Sequence, residues 1–361
     1  WKVLGENVWG ARLVNVIFGT ISIFLVFFIA RLLFRQVSLC LFCAFLSAVL
    51  PLAVFFSRNL QAEGPAFFFM CLGQFFYLKF ALKGKRLNLV WAGLAVSLAG
   101  LYRAHFLLGA LPFLWCLDYP KLLEHRKSWV KTAVSWLLPY AFFLIVLVFF
   151  YRMGRGDSRI LSFDPLAALR PAYWRDHAQA ITWYIREENF TSVFSLLAAC
   201  GMLLVLFNKQ GQSGNYILGW IFAMIAAVLF FPHDLYQNNY IQMPFLLCVC
   251  ISAAYTLHFL AQEARKLIKA DVLVYLIVGA ALLAAPSVRG AIVRMHGTVF
   301  LGQDVAGETL REVTDPGERV FLYTHAQGYA VSRYAHRYVG WPSDLEDFKN
   351  KEKEFGVRFI C

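Results

Sequence analysis

Three long uncharged runs constrain the fold of this chain more than any other feature. No charged residue occurs in residues 13–30, 36–57 or 64–78. A helix needs about 20 apolar residues to cross the hydrocarbon core of a bilayer, so runs of this length are typical of membrane spans. Hydrophobic residues make up 60% of the 361 positions, against roughly 45–50% in soluble domains. The chain is therefore predicted to be an all-α polytopic membrane protein.

The other apolar runs bring the prediction to about ten transmembrane helices. Residues 87–117 hold two short runs divided by Arg103, which fit either one long helix or a hairpin. The hairpin is favoured because it places the flanking basic clusters on one side of the membrane, as the positive-inside rule prefers. Arg103 is then expected at the tip of the hairpin, below the outer surface. The remaining predicted spans cover 132–151, 190–207, 214–232, 239–261 and 271–288.

The positions of the lysines support one orientation. The net charge of +12 needs no nucleic-acid partner, because basic residues gather at the ends of the spans. The predicted outer loop, residues 152–188, contains arginines but no lysine, and these arginines either form a solvated surface or bind phosphate. Its acidic residues are expected to be solvated: Asp157, Asp164, Asp176, Glu187 and Glu188. The lysines at predicted inner ends are residues 79, 83, 85, 121, 127, 131, 209, 266 and 269.

The pattern changes after about residue 300. Strand-like residues 318–323, 337–339 and 357–361 alternate with helical patterns at 327–335 and 343–355. The chain is therefore predicted to have a helical bundle at 1–299 and a small α/β domain at 300–361, on the extracytoplasmic side. This small domain ends within a strand and is expected to be incomplete.

Residues 56–64 form a polar turn between two uncharged runs. Arg58 and Glu63 are either a snorkelling cation with a nearby partner or an ionisable pair that marks a substrate site at the mouth of the bundle. A second polar turn runs from His233 to Tyr240 and is either hydrogen-bonded at the interface or part of the same site. The CxxC at Cys40 lies in an apolar run, which favours packing over a redox or metal role.

The turn at Arg58–Glu63, followed by Phe67–Phe69, resembles the second acidic signature of the integral-membrane C-type glycosyltransferases. This family includes the protein O-mannosyltransferases and the lipid A aminoarabinose transferases. The stretch His233…Tyr240…Pro244 is similar to a family stretch near the lipid-phosphate site. The resemblance rests on the order of these features along most of the chain.

The resemblance implies transfer of a sugar from a polyprenyl-phosphate carrier to a lipid, protein or glycan acceptor at the outer membrane face. It implies that Glu63 is catalytic, as a second acid, and that Arg58, Arg103, His233 and Tyr240 bind substrate. These five side chains are then expected to line one cavity. No metal-ligand set is predicted, and a divalent metal cofactor is left open. The expected location is the inner (plasma) membrane, as a multi-pass protein.

In the family the principal acid lies in a first outer loop, before the first span seen here. Glu6 is the only acid at that place, and its context does not match. We therefore expect that an N-terminal segment is missing and that the chain as given is inactive. The alternatives are a lipid-carrier transporter (a flippase), a polysaccharide polymerase or a non-catalytic scaffold. A flippase should carry its ionisable residues at mid-membrane depth, and a scaffold should leave its polar turn residues unclustered.

Overall fold

The protein divides into two compact units, residues 1–295 and 296–361, which are described separately. The computed structural model describes residues 8–59, 61–116, 130–135, 137, 141, 145, 166–207, 211–266, 279–280, 285–296, 303–322, 329–340, 345–355 and 359–360.

The first unit is a bundle of helices that follow the uncharged runs of the sequence. Four of its described helices are long and apolar enough to cross a membrane, or up to six if two bent pairs each count as one span. The predicted spans 132–151 and 271–288 lie mostly outside the described residues, so the count of ten stays a prediction. The helices are α1 (Val8–Leu33), α2 (Val37–Val49), α3 (Pro51–Arg58), α4 (Glu63–Lys83), α5 (Arg86–Tyr102), α6 (Leu111–Trp115), α7 (Pro171–Trp183), α8 (Thr191–Phe207), α9 (Gln212–Phe230), α10 (Pro232–Gln237), α11 (Leu246–Arg265) and α12 (Pro286–His296).

The run 36–57 was expected as one span, and the structure shows it bent by 55° between α2 and α3. The cause is Pro51, which has no N–H for the helix ladder and forces the residue before it out of the helical conformation. Leu50 is accordingly extended, with ψ of 134°. The bend leaves α3 as a short helix that ends at the polar turn.

The hairpin predicted around Arg103 is confirmed. Helix α5 ends at Tyr102, and the chain then returns beside α4 as a 3-10 segment, Ala104–Ala110, and α6. Two hydrogen bonds show that the chain reverses direction, because residues further along α4 contact residues further along the returning segment. Gln74 Nε2 donates to the Gly109 carbonyl, and Tyr77 OH donates to the Phe113 carbonyl. The Tyr77 and Phe113 rings stack with their centroids 3.9 Å apart. Arg103 therefore lies at the tip of the hairpin.

Helices α8 and α11 pack closely at Gly201. A Cβ added there would collide with the backbone carbonyl oxygen of Ser252. We expect Gly201→Ala to lower the free energy of unfolding by about 1–3 kcal/mol, because overpacked helices must move apart. Thermal unfolding of the purified protein in detergent measures this. Gly279→Ala is the control, because no atom of the described residues lies within 4 Å of its added Cβ. Equal losses in both variants would contradict the packing argument.

The second unit contains a three-stranded parallel sheet in the order β2-β1-β3. Each strand lies within or beside a stretch that was predicted from the sequence. A small apolar core covers one face of this sheet, formed by Leu310, Val320, Leu322, Val331 and Ala335. The elements are α13 (Gln303–Val313), β1 (Arg319–Phe321), α14 (Tyr329–Ala335), β2 (Tyr338–Gly340), α15 (Leu345–Phe355) and β3 (Phe359–Ile360).

Candidate functional site

An ion pair joins the polar turn to the tip of the hairpin. Oε1 of Glu63 lies 2.7 Å from Nε of Arg103. The glutamate side chain is fully buried, whereas 37% of the arginine side chain is exposed. Both carboxylate oxygens of Glu63 and Nε of Arg103 are buried with no hydrogen-bond partner among the described residues, so the contact is an ion pair without hydrogen-bond geometry. The pair thus joins a buried anion to a partly exposed cation.

Local sequence explains why Glu63 lies at this position. The first backbone N–H groups of a helix lack intrahelical partners and favour a negative charge, and α4 begins at Glu63. Pro65 is tolerated in this first turn because its missing N–H would have no partner there. The turn itself is held by Asn15 of α1, whose Nδ2 donates to the carbonyl oxygens of Asn59 and Gln61.

Arg103 leaves the helix because its backbone is extended, with φ of −153°. Its guanidinium carbon lies 5.0 Å from the centre of the Tyr240 ring, within the range of a cation–π contact. The ring of His105, which is 5% exposed, lies 5.9 Å from the same Tyr240 ring. Glu63, Arg103, His105 and Tyr240 therefore form one cluster, which we call the Arg103 cluster.

The structure brings together only some of the side chains that were predicted to share a cavity. Glu63, Arg103 and Tyr240 meet in the Arg103 cluster, whereas Arg58 and His233 lie elsewhere. Arg58 is exposed and lines a separate crevice of about 130 Å³ between α1, α2, α3 and α4. His233 is also exposed, and its Nδ1 lies 3.2 Å from the hydroxyl of Tyr236.

The expected pairing of Arg58 with Glu63 was wrong. Among the described residues the ion-pair partner of Glu63 is Arg103. The physical reason is that α3 ends at Arg58 with its side chain on the outside, while the hairpin brings Arg103 to the buried start of α4. Forty positions of sequence separate the two partners, and only the fold of the hairpin unites them.

The two glutamates just before α8 have protein partners, although they were predicted to be solvated. Glu187 was predicted to be solvated, but Arg294 Nη2 lies 3.2 Å from its Oε2. Glu188 accepts hydrogen bonds from Trp183 Nε1 and Asn239 Nδ2, each at 3.1 Å. Asp176 is exposed, as predicted, and Asp157 and Asp164 lie outside the described residues.

Two functional candidates were missed by sequence reasoning. Asn15 was detectable, because an asparagine inside an apolar run must find a hydrogen-bond partner. Asn189 forms hydrogen bonds with the residues on either side of Tyr240, and no sequence signal pointed to this role. Within the described ranges, no group of three or more His, Cys, Asp or Glu side chains could hold a metal ion.

Comparison with known proteins finds one family match, over the first part of the chain, and one shared fold. Residues 1–151 match the model of the dolichyl-phosphate-mannose-protein mannosyltransferase family. No curated protein matches the chain at a significant level.

Solved structures share the fold at low sequence identity. The chain matches the Archaeoglobus fulgidus oligosaccharyltransferase in a complex with Zn and sulfate, with a TM-score of 0.55 and 15% identity over 91% of this chain. The same enzyme tethered to an acceptor peptide with the NVT sequon matches with a TM-score of 0.59 and 14% identity over 97% of this chain. ArnT from Cupriavidus metallidurans in the apo state matches with a TM-score of 0.54 and 15% identity over 99% of this chain.

These matches cover unequal parts of the known proteins. The chain spans 50% and 57% of the two oligosaccharyltransferase chains and 76% of ArnT. The first 151 residues carry the family match, and the shared fold covers most of the chain. The resemblance to the integral-membrane C-type glycosyltransferases predicted from the sequence is therefore confirmed.

Proposed function

We propose that the protein is a membrane glycosyltransferase that moves a sugar from a polyprenyl-phosphate carrier to an acceptor at the outer face of the membrane. The family description names a dolichyl-phosphate-linked sugar as the donor and protein as the acceptor. The proposal also includes a lipid or glycan acceptor. The membrane in question is the inner (plasma) membrane.

One observation carries this proposal: a buried carboxylate fixes one edge of a half-exposed guanidinium. Oε1 of Glu63 forms an ion pair with Arg103, 2.7 Å from its Nε, while 37% of the arginine side chain stays exposed. The guanidinium is a planar fork with five N–H donors, and its two Nη groups suit the oxygens of a phosphate. An arginine held in this way is ready to bind a lipid phosphate without first losing side-chain freedom.

The chemistry of transfer needs a cation at this place. When the sugar leaves its carrier, negative charge develops on the lipid phosphate, and a fixed cation stabilises that charge. Arg103 supplies the cation, Tyr240 supports it through its ring face, and Glu63 holds it in place. Glu63 thus serves the reaction as an ionised second acid that binds a cation. Arg58 and His233 stay predicted substrate contacts outside the Arg103 cluster.

The arrangement favours an enzyme over the alternatives. The charged pair lies where α4 begins and α5 ends, at one end of the bundle and not at mid-depth along a path. One residue of each polar turn, Glu63 and Tyr240, also contacts Arg103, which a scaffold would not require. Both features support a binding site at a membrane face.

Lysine positions support an outer location for this end. Lys79, Lys83 and Lys85 lie at or just after the end of α4, opposite Glu63, and Lys266 follows the end of α11. Lysines mark the cytoplasmic ends of spans. In this proposal the Arg103 cluster therefore lies on the extracytoplasmic side, and the predicted count of ten spans favours the same side of the membrane for residues 300–361.

Cysteine labelling from outside the cell tests the orientation. On a background without native thiols, an impermeant reagent should label cysteines at positions 160 and 345 but not at 84 or 267. Permeabilised cells give the control, because all four positions should then react. Labelling at 267 without labelling at 160 would reverse the orientation.

A transfer assay tests the function. The protein, produced from its full reading frame and reconstituted in vesicles, should transfer sugar from a polyprenyl-phosphate donor to extracted lipid, protein or glycan acceptors. The transfer assay is also applied to Arg103→Gln, and its matched control is Arg12→Gln, because Arg12 is an exposed arginine on α1 outside the cluster. The proposal predicts that Arg12→Gln retains transfer. If the wild-type protein transfers sugar to none of the three acceptor classes, the proposal is contradicted.

A further inference from the structure

Tyr240 lies in a segment that does not fix its own position. The residues Asn239–Phe245 form a 3-10 helix, which has poorer hydrogen-bond geometry than an α-helix and includes Pro244. The ring nevertheless contacts Phe56, His105 and Arg103. Contacts from outside the segment must therefore set the place of the ring.

Asn189 supplies such contacts on both sides of Tyr240. It is 1% exposed, and its Nδ2 donates to the carbonyl oxygen of Asn239 at 2.8 Å and to Oε1 of Gln242 at 2.9 Å. One partner precedes Tyr240 directly and the other follows it by two positions. A single buried amide thus bridges the backbone and a side chain around the tyrosine.

The surroundings of Asn189 hold it in turn. It ends a π-helical segment, Tyr184–Asn189, and such segments occur frequently at functional sites. Thr191 follows with φ of 63°, a costly conformation for a β-branched residue that persists only where neighbouring structure enforces it. Glu188 adds a second bond to Asn239 through its Oε2. The amide is therefore presented to the Tyr240 segment by a fixed backbone.

We infer that Asn189 is a positioning residue, which acts through Tyr240 to hold the aromatic ring against the guanidinium of Arg103. This inference rests on the proposed function, because the ring matters to the reaction only if Arg103 binds the donor phosphate. Asn189 itself touches no substrate. A purely structural role would stabilise the bundle without any coupling to Tyr240.

A double-mutant cycle on the binding of polyprenyl phosphate separates these two roles. Asn189→Ala should weaken binding about tenfold in the wild-type background and less than about twofold in the Tyr240→Ala background, because residues that act through one contact are not additive. Asn189→Leu, which keeps the number of side-chain heavy atoms but removes the amide, should give the same pattern and guards against a cavity effect. Ser213→Ala is the control, since this buried hydroxyl donates to the Leu33 carbonyl at the other end of the bundle.

The outcomes distinguish the inference from the proposed function. Equal losses in both backgrounds, or a loss with Ser213→Ala equal to that with Asn189→Ala, would overturn the positioning role. Binding by the wild-type protein without sugar transfer would contradict the proposed function, while the cycle would still decide the role of Asn189. Absence of polyprenyl phosphate binding by the wild-type protein would overturn both.

Discussion

Arg103→Gln should abolish measurable transfer, with a loss of at least 10²–10³-fold expected from the missing charge alone, at about the magnitude known for single transition-state donors. The variant should also unfold more easily. It leaves Glu63 fully buried without its cation, and breaking a buried pair in this way typically costs about 3–5 kcal/mol. Because Arg103 is partly exposed, we expect the lower part of that range. The transfer assay and thermal unfolding of the same preparation measure the two effects.

A compensating variant separates stability from function. In Arg103→Gln/Glu63→Gln no charge remains buried, so thermal stability should return toward that of the wild-type protein. Transfer should stay lost, because no cation faces the phosphate. Recovery of transfer in the double variant would show that Arg103 acts only by neutralising Glu63.

Glu63→Gln should lower kcat/KM by about 10²–10⁴-fold, the range in which a misplaced or missing charged group affects an active site. The amide keeps the size of the side chain but no longer binds the Arg103 guanidinium through a full charge. The fall in kcat/KM of this variant should appear chiefly as weaker binding of the polyprenyl-phosphate donor, because Glu63 acts on Arg103. Steady-state kinetics with varied donor give this separation.

Glu63→Asp is the matched control, because it keeps the carboxylate and shortens the side chain. It should recover part of the activity that Glu63→Gln loses. Equal activity of wild-type and Glu63→Gln proteins would reduce Glu63 to a charge that stabilises the start of α4.

The sequence predicted the elements of this site better than their pairing. Uncharged runs located the bundle helices, and Glu63 lies at the start of its helix as expected. The hairpin was predicted from two facts: its arms are short, and basic residues prefer the cytoplasmic side of the membrane. The break of the run 36–57 at Pro51 was not predicted, although a proline inside a helical run is a known signal for one.

The partner of Glu63 could not be read from local sequence. Arg58 is nearer along the chain, and proximity favoured it, but the packing of α4 against α5 decides which cation reaches a buried carboxylate. The same limit applies to Asn189, because a hydrogen bond across 50 positions leaves no periodic signal. Tertiary contacts of this kind must be seen in the folded chain.

The most direct test of the central claim is a cryo-electron microscopy structure with bound polyprenyl phosphate. The account predicts a phosphate oxygen within about 3 Å of an Nη atom of Arg103, the distance of a charge-assisted hydrogen bond. Nε of Arg103 should remain paired with Glu63 in that structure. The account would be contradicted by a phosphate bound in the Arg58 crevice while the Nη atoms of Arg103 face no ligand and the Arg103–Glu63 pair is unchanged.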